Sequence, residues 1–393
     1  MSFTSLLNYY QDMDINPVPI DLDSDDSWKI HVDKRRNLYE RHLGIPLSYL
    51  AGRSVLEFGC NSGENALVLA HHGAKLTLVE PNDQIYPRLR SLFKKFGLED
   101  QIVDLSREGV TSFRSGTEYD LVIAEGFINQ LDDRVDAVKN IVDHVAPEGR
   151  AIISFDCRYG HFIELTRKLV YWRCCELARI DPLGDQSVEI ARALFLDDFN
   201  RINASRPFEA WWQDVLMNPF AVWNYLWTYD ELVPLAESVG AEVLSTSPRW
   251  AMIDNMDWYK NTPETVSRHE AFLREWSSRL LYILTGLPTS AHEADQAAVE
   301  SVSDLVKSIS DYVGGGLLAV DYPAALDHFL AKSSDQNAKL FNQDLKQVFV
   351  AVGEAKGHED LMSAYHGTQC LRSLWGAPYH YVSFRKRSLP EAG

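Results

Sequence analysis

Cysteine is scarce. The chain has five in 393 residues, Cys60, Cys157, Cys174, Cys175 and Cys370, and none stands in Cys-x-x-Cys spacing. An odd number in a chain this long excludes a disulfide framework. These residues read as free thiols that pack like small hydrophobes in a reducing compartment. Positive charge is also short. Lys and Arg number 38 against 56 Asp and Glu, a net charge of −18. Nucleic-acid affinity rests on neutralising phosphates with Lys and Arg, so no nucleic-acid partner is expected. No run of about 20 apolar residues is present, which excludes a membrane-spanning helix of the usual kind. The start, Met1-Ser2-Phe3-Thr4-Ser5-Leu6-Leu7-Asn8, lacks the basic residues and apolar stretch of a signal peptide. A cytoplasmic location with no membrane partner is the expectation. Internal repeats are missing, and Gly314-Gly315-Gly316, read as a hinge or tight turn, is the one low-complexity tract.

What is present is an ordinary globular composition, 46% hydrophobic and 24% charged. At about 150 residues per domain, the length means two to three domains, or one domain with large insertions. Residues 1–27 are polar and acidic and read as a loosely held arm, and 28–50 as helical. From 53 to 156 short apolar runs alternate with amphipathic stretches. Ser54–Phe58, Lys75–Val79, Gln101–Val103, Tyr119–Ala124 and Arg150–Phe155 read as strands. Between them lie a helix opening at Asn65, a helix over 83–96 with Gly97 past its end, a helix over 132–145 with its valines on one stripe, and a turn at Ala146-Pro147-Glu148-Gly149. This alternation predicts a parallel sheet covered on both faces. After 156 it breaks. Residues 157–227 read as a helical insertion, 228–250 as a returning helix and strand, 251–375 as a second helical insertion, and 376–393 as a terminal strand and tail.

The informative stretch is Val55-Leu56-Glu57-Phe58-Gly59-Cys60-Asn61-Ser62-Gly63, between the first strand and the first helix. Doubly wound sheets bind ligands at this carboxyl end. A dinucleotide fingerprint needs glycine at 59, 61 and 64, but 61 is Asn and 64 is Glu. A phosphate loop fails too, since no Gly-Lys-Ser/Thr follows, and Glu57 and Glu64 would repel a pyrophosphate.

The stretch resembles motif I of the class I S-adenosylmethionine-dependent methyltransferases, acidic-x-Gly-x-Gly-x-Gly. Glu57, Gly59 and Gly63 match, and Asn61 stands at the middle glycine, where Asn best tolerates positive φ. The resemblance covers roughly 53–156, and more faintly 228–247 and 379–387. It implies a Rossmann-like, doubly wound α/β sheet of seven strands in the order 3-2-1-4-5-7-6, the last antiparallel, with the helical insertions as a lid. It implies S-adenosylmethionine as cofactor, with S-adenosylhomocysteine as product. The loop Glu57, Gly59, Cys60, Asn61 and Gly63 would hold it. Glu80, seventeen residues past Gly63, with Pro81, would take the ribose hydroxyls. Asp104 with Leu105 would meet the adenine amino group, and Glu125-Gly126-Phe127 would lie beside the sulfonium. Arg36 or Tyr39, on the N-terminal helix, would reach the methionine carboxylate.

Methyl transfer needs an acceptor atom held about 3 Å from the sulfonium carbon and water kept out. No Asn/Asp-Pro-Pro-Tyr follows the fourth strand, which disfavours DNA and protein-amide acceptors. Asp156-Cys157-Arg158-Tyr159-Gly160-His161 follows the fifth strand. His161 reads either as a general base or as a surface or helix-capping histidine, and Tyr159 as an acceptor contact or a packing residue. Asp132, Asp133 and Asp156 are the carboxylates a divalent metal would use, but Asp132-Asp133 reads better as a helix start, so no metal is expected. Eight of ten tryptophans lie after residue 210: Trp211, Trp212, Trp223, Trp227, Trp250, Trp258, Trp276 and Trp375. They read as packing for the insertions, or as walls of an acceptor cavity, with Trp211, Trp212, Trp223 and Trp227 the candidates. The expected activity is methylation of a small molecule, oxygen favoured. N-methylation of a small amine or peptide, or a silent methyltransferase-like binding subunit, are the alternatives.

Overall fold

The computed structural model describes residues 5–15, 24–202, 206–249, 278–286 and 296–387. The second insertion falls partly outside them, and Trp250, Trp258 and Trp276 lie outside the described residues. The chain divides into two units, a sheet unit that holds the chain up to residue 155, Trp227 onward and Tyr379 onward, and a helical unit that holds Asp156–Leu226 and the segment ending at Pro378.

The sheet unit has seven strands: β1 Ser54–Phe58, β2 Lys75–Val79, β3 Ile102–Ser106, β4 Tyr119–Ala124, β5 Val145–Asp156, β6 Ala241–Ser247 and β7 Tyr379–Lys386. Their order is β3-β2-β1-β4-β5-β7-β6. β1 pairs in parallel with β2 and β4, β2 with β3, and β4 with β5, while β6 and β7 run antiparallel. The expected sheet is therefore present, last strand included. The central strands are apolar on both faces because helices cover both. Val55, Leu67, Leu76, Leu78, Leu121, Ile123 and Ile152 share one core cluster.

Two local expectations shift. The turn over 146–149 is part of β5, which begins at Val145. Glu148 at φ 62 and a register break between Tyr119 and Leu121 absorb the turn residues as a bulge. The N-terminal arm carries a helix, Leu6–Asp12, capped by the Ser5 side chain. Leu6 and Tyr9, one turn apart, are both buried on one face.

The helical unit is built around Phe162–Ala178, a 17-residue helix buried on almost every face. Helices Ser187–Phe199, Gln296–Val313, Ala324–Lys332, Gln336–Glu354 and His358–His366 belong to the same unit. Gly160 is required by close backbone approach: a Cβ there would fall 1.9 Å from the Ala377 carbonyl oxygen. The Cys157 amide donates to the Pro378 carbonyl at 2.7 Å in the same crossing. Among the described residues, no helix is long and apolar enough to cross a membrane.

Candidate functional site

The loop after β1 turns through three left-handed residues, Gly59 at φ +66, Asn61 at φ 44 and Gly63 at φ +88. Asn61 thus holds the positive φ expected of a residue standing where the motif has glycine. Its side-chain oxygen accepts from the Ser62 amide at 2.7 Å, a local bond that glycine cannot make. Gly63 ends the loop and opens the helix Glu64–His71. The Gly59 amide donates to the Val79 carbonyl at 2.8 Å, so the loop is tied to the end of β2.

Glu80 follows that strand end and is buried. One carboxylate oxygen accepts from the Asn61 amide and the other from the Asn82 amide, each at 2.8 Å. Burial pushes the acid upward, against the two amide bonds that favour its charged form. Each oxygen keeps a further lone pair for a hydroxyl donor. Pro81 is half-buried beside it.

A second cluster joins the N-terminal helix Asp25–Arg36 to the loop after β4. Arg35 Nη1 donates to Glu125 Oε2 at 2.9 Å and Nη2 to Oε1 at 2.5 Å, a bidentate pair. Nη2 also reaches the Tyr39 hydroxyl at 2.9 Å, and Asn65 Nδ2 reaches Glu125 Oε2 at 3.2 Å. Tyr39 is fully buried on the π-helical turn Asn37–His42, and burial raises its phenol. Glu57 is buried in the same neighbourhood, and its acid is pushed up to about 8. Burial is the main cause, with repulsion from Glu125 and Glu80 adding to it and Arg35 opposing. Glu57 Oε2 and Arg35 Nε are buried without a hydrogen-bond partner among the described residues. Cys60 is buried, and burial with Glu80 and Glu57 raises its thiol well above the usual range, so it is a packing residue and not a nucleophile. Gly126 turns at φ +81 and donates to Ser154 Oγ at 2.7 Å. The Phe127 ring lies so close to Gly59 that a Cβ there would come within 2.5 Å of it.

Two cofactor assignments need correction. Arg36 points outward, is about half exposed and pairs with Asp33 at 2.8 Å, while Arg35 enters the cluster. Helical spacing could have found this, since Arg35 and Tyr39 are four apart and share a face. Asp104 does not end its strand. β3 continues to Ser106, Asp104 pairs with Thr77 in mid-strand, and both Asp104 and Val103 are exposed. The residue bonded to Glu80 is Ser106, which pairs with Val79 and whose carbonyl accepts from the Glu80 amide at 2.9 Å, with half-buried Leu105 before it.

In the helical unit His161 is buried between two carboxylates. Nε2 lies 3.0 Å from Asp156 Oδ1, and Nδ1 lies 3.0 Å from Glu164 Oε2. Burial alone would lower its pKa, but both acids raise it and the imidazole is carried up to about 10. A ring held protonated, with both nitrogens engaged, is not built to accept a proton at neutral pH. The general-base reading is therefore replaced by that of a buried imidazolium clamp. Trp211 Nε1 donates to Glu164 Oε1 at 3.4 Å, and the Trp211 ring packs on Phe195, Phe199, Phe208 and Trp375. Trp212 turns to the Tyr171 hydroxyl at 3.1 Å. Trp223 lies under the Arg158 guanidinium at 3.9 Å, and Tyr159 is buried nearby in sequence. Trp227 belongs to the sheet unit, against Phe155. The four candidate rings thus stand in separate environments. Sequence reasoning missed Arg35, Asn65, Glu164 and Arg167.

This sheet order, with a glycine loop after β1 and an acid ending β2, defines the class I methyltransferase fold. A family model described as a methyltransferase domain matches residues 35–246, and the chain belongs to that family. Among solved structures it is similar to an S-adenosylmethionine-dependent methyltransferase from Clostridium acetobutylicum, 16% identical, covering 35% of this chain and 52% of that one, TM-score 0.27. It is also similar to the CcbJ methyltransferase from Streptomyces caelestis, 22% identical, covering 32% and 50%, TM-score 0.28. A glycopeptide N-methyltransferase, MtfA, is 20% identical over 27% and 49%, TM-score 0.26. The chain thus spans about half the length of each of these structures. No curated protein matches it.

Proposed function

We propose that this protein transfers a methyl group from S-adenosylmethionine to a small molecule, oxygen being the favoured acceptor atom. The observation that carries the reading is the Glu80 carboxylate, fixed by the Asn61 and Asn82 amides beside the glycine loop. There it is set to accept from ribose hydroxyls. The buried acceptor on Glu57 and the buried donor on Arg35 fit the ammonium and carboxylate of an amino-acid moiety. Two carboxylates, Glu80 and Glu125, against one Arg35, with Glu57 ready to ionise beside a cation, also suit a ligand of net positive charge. When bound, S-adenosylmethionine would supply a sulfonium methyl carbon open to in-line attack, with the neutral thioether S-adenosylhomocysteine as the leaving group. The chain's part is to orient that ligand and to keep water away from it. A nitrogen acceptor is the second reading. His161 favours it, because an imidazolium between two acids offers no base and a neutral amine needs none.

Calorimetry with S-adenosylmethionine on the wild type and on Glu80→Gln tests the cofactor assignment. The amide keeps the shape and removes the charged acceptor. Charge-assisted bonds are worth about 1.5–3 kcal/mol, so affinity should fall about tenfold to a hundredfold. Unchanged affinity in the variant, or no binding to the wild type, would sink the proposal.

A further inference from the structure

The core of the helical unit contains a cation that no acid among the described residues pairs with. Arg167, on the helix Phe162–Ala178, is fully buried. Its Nε donates to the Tyr365 hydroxyl at 3.1 Å, and its Nη2 to the carbonyls of Leu371 at 3.2 Å and Leu374 at 2.8 Å. All three acceptors are neutral. Asp198, on the far side of Tyr365, accepts from that hydroxyl at 3.0 Å and is already paired with Arg372 at 2.8 Å. Arg167 Nη1 is buried and bonds to nothing among the described residues. The Trp375 ring lies against the guanidinium, 4.0 Å from its carbon to the ring centroid, and Trp375 Nε1 is a second buried donor with no partner among the described residues.

Buried charges persist when they are paired, and buried donors when they are satisfied. Guanidinium and indole N–H groups only donate, so what completes them is an acceptor, and the uncompensated charge makes it an anion. One Nη1 group and one indole N–H match the two oxygens of a planar carboxylate. A phosphate asks for more donors than these. The Trp375 ring also meets Trp211 at 5.5 Å and Phe199 at 6.1 Å, so the body of the ligand would lie among aromatic rings.

We propose that Arg167 and Trp375 form a carboxylate-binding site for a small acid with an aromatic body. The site does not depend on the function proposed above.

The test uses the full chain and fluorine NMR of two probes, 4-fluorobenzoate and the uncharged 4-fluorobenzyl alcohol, at matched ionic strength. The wild type should bind the carboxylate about tenfold or more tightly than the alcohol, as a charge-assisted contact predicts. Trp375→Phe keeps a ring but loses the N–H, which bonds to nothing among the described residues. Its melting temperature should hold while carboxylate affinity falls about threefold to tenfold. Arg167→Met should abolish binding. Because that change also strips three neutral acceptors of their donor and threatens the fold, Trp375→Phe and the alcohol decide the matter if it does not fold. No carboxylate binding by the wild type at about 10 mM, equal affinity for the alcohol, or unchanged affinity in Trp375→Phe would each overturn the site. Calorimetry with S-adenosylmethionine on the same preparation separates the two claims. Cofactor binding without the acid refutes the carboxylate site alone, and acid binding without the cofactor refutes the methyltransferase reading alone.

Discussion

At the scale of single residues, Glu57 is the least comfortable group in the sheet unit. Its acid sits at about 8 where the ordinary value is 4.5, chiefly through burial and then through Glu125. The native state therefore holds this proton more tightly than the unfolded chain does. The contribution of the group to stability is full below about 4.5 and is lost as pH rises toward about 8. A ligand ammonium beside Glu57 Oε2 would draw the acid back down, so cofactor binding near neutral pH should release a proton and strengthen as pH rises to about 8. Glu57→Gln should melt higher than the wild type at pH 8 without ligand, yet bind S-adenosylmethionine about tenfold more weakly. Calorimetry in two buffers of different ionisation heat reads the proton, and a melting series reads the stability. If the variant is the less stable one at pH 8, the burial argument fails.

At the scale of elements, the helix Asp25–Arg36 is fastened to the loop after β4 by the Arg35–Glu125 pair, both side chains nearly buried. Removing one partner of such a pair leaves a buried charge alone and costs about 3–5 kcal/mol, whereas replacing both costs far less. Denaturant unfolding of Arg35→Met, Glu125→Gln and the double variant should show this, the stability lost in the double being well below the sum of the losses in the singles. Strict additivity would mean the pair is no fastening. These elements also show what could be read in the sequence and what could not. β1 to β5 and the glycine loop were legible, because apolar runs of strand length punctuated by Gly59, Gly73 and Gly97 leave few alternatives. The turn expected at 146–149 was not, because a bulge and a turn use the same residues and only strand register tells them apart. Arg35 was hidden behind Arg36 for a similar reason: three adjacent basic residues look alike until the helix phase is known. The buried polar network of the helical unit left no local signal. Arg167 meets Tyr365, Leu371 and Leu374 across about 200 residues of sequence, and no periodicity records such contacts.

At the scale of the whole molecule, the chain leaves the sheet unit after Phe155, returns at Trp227 and returns again at Tyr379. The strand that comes last in sequence is not last in space. β7 stands between β5 and β6, with His380, Val382, Ser383 and Phe384 buried. Its His380 ring packs on Phe155 and its Nδ1 lies 3.0 Å from the Tyr229 hydroxyl. Lys386 reaches the Val145 carbonyl at 2.9 Å and Glu118 at 3.0 Å. Without β7, the 12-residue β5 becomes an edge with its apolar faces and its backbone groups open, and β6 loses the neighbour it pairs with. A long apolar edge of this kind pairs with other chains. A chain ending at Pro378 should therefore fail to complete the sheet even though five parallel strands and the whole glycine loop remain. It should sediment as aggregate, lose the near-ultraviolet circular dichroism of the full chain and not bind S-adenosylmethionine. A soluble monomer that still binds the cofactor would show that β1 to β5 fold without their late partner. The expectation follows from loop closure as much as from packing. The β5–β7 pairing joins segments more than 200 residues apart, so it forms only after the intervening chain has been ordered enough to bring them together.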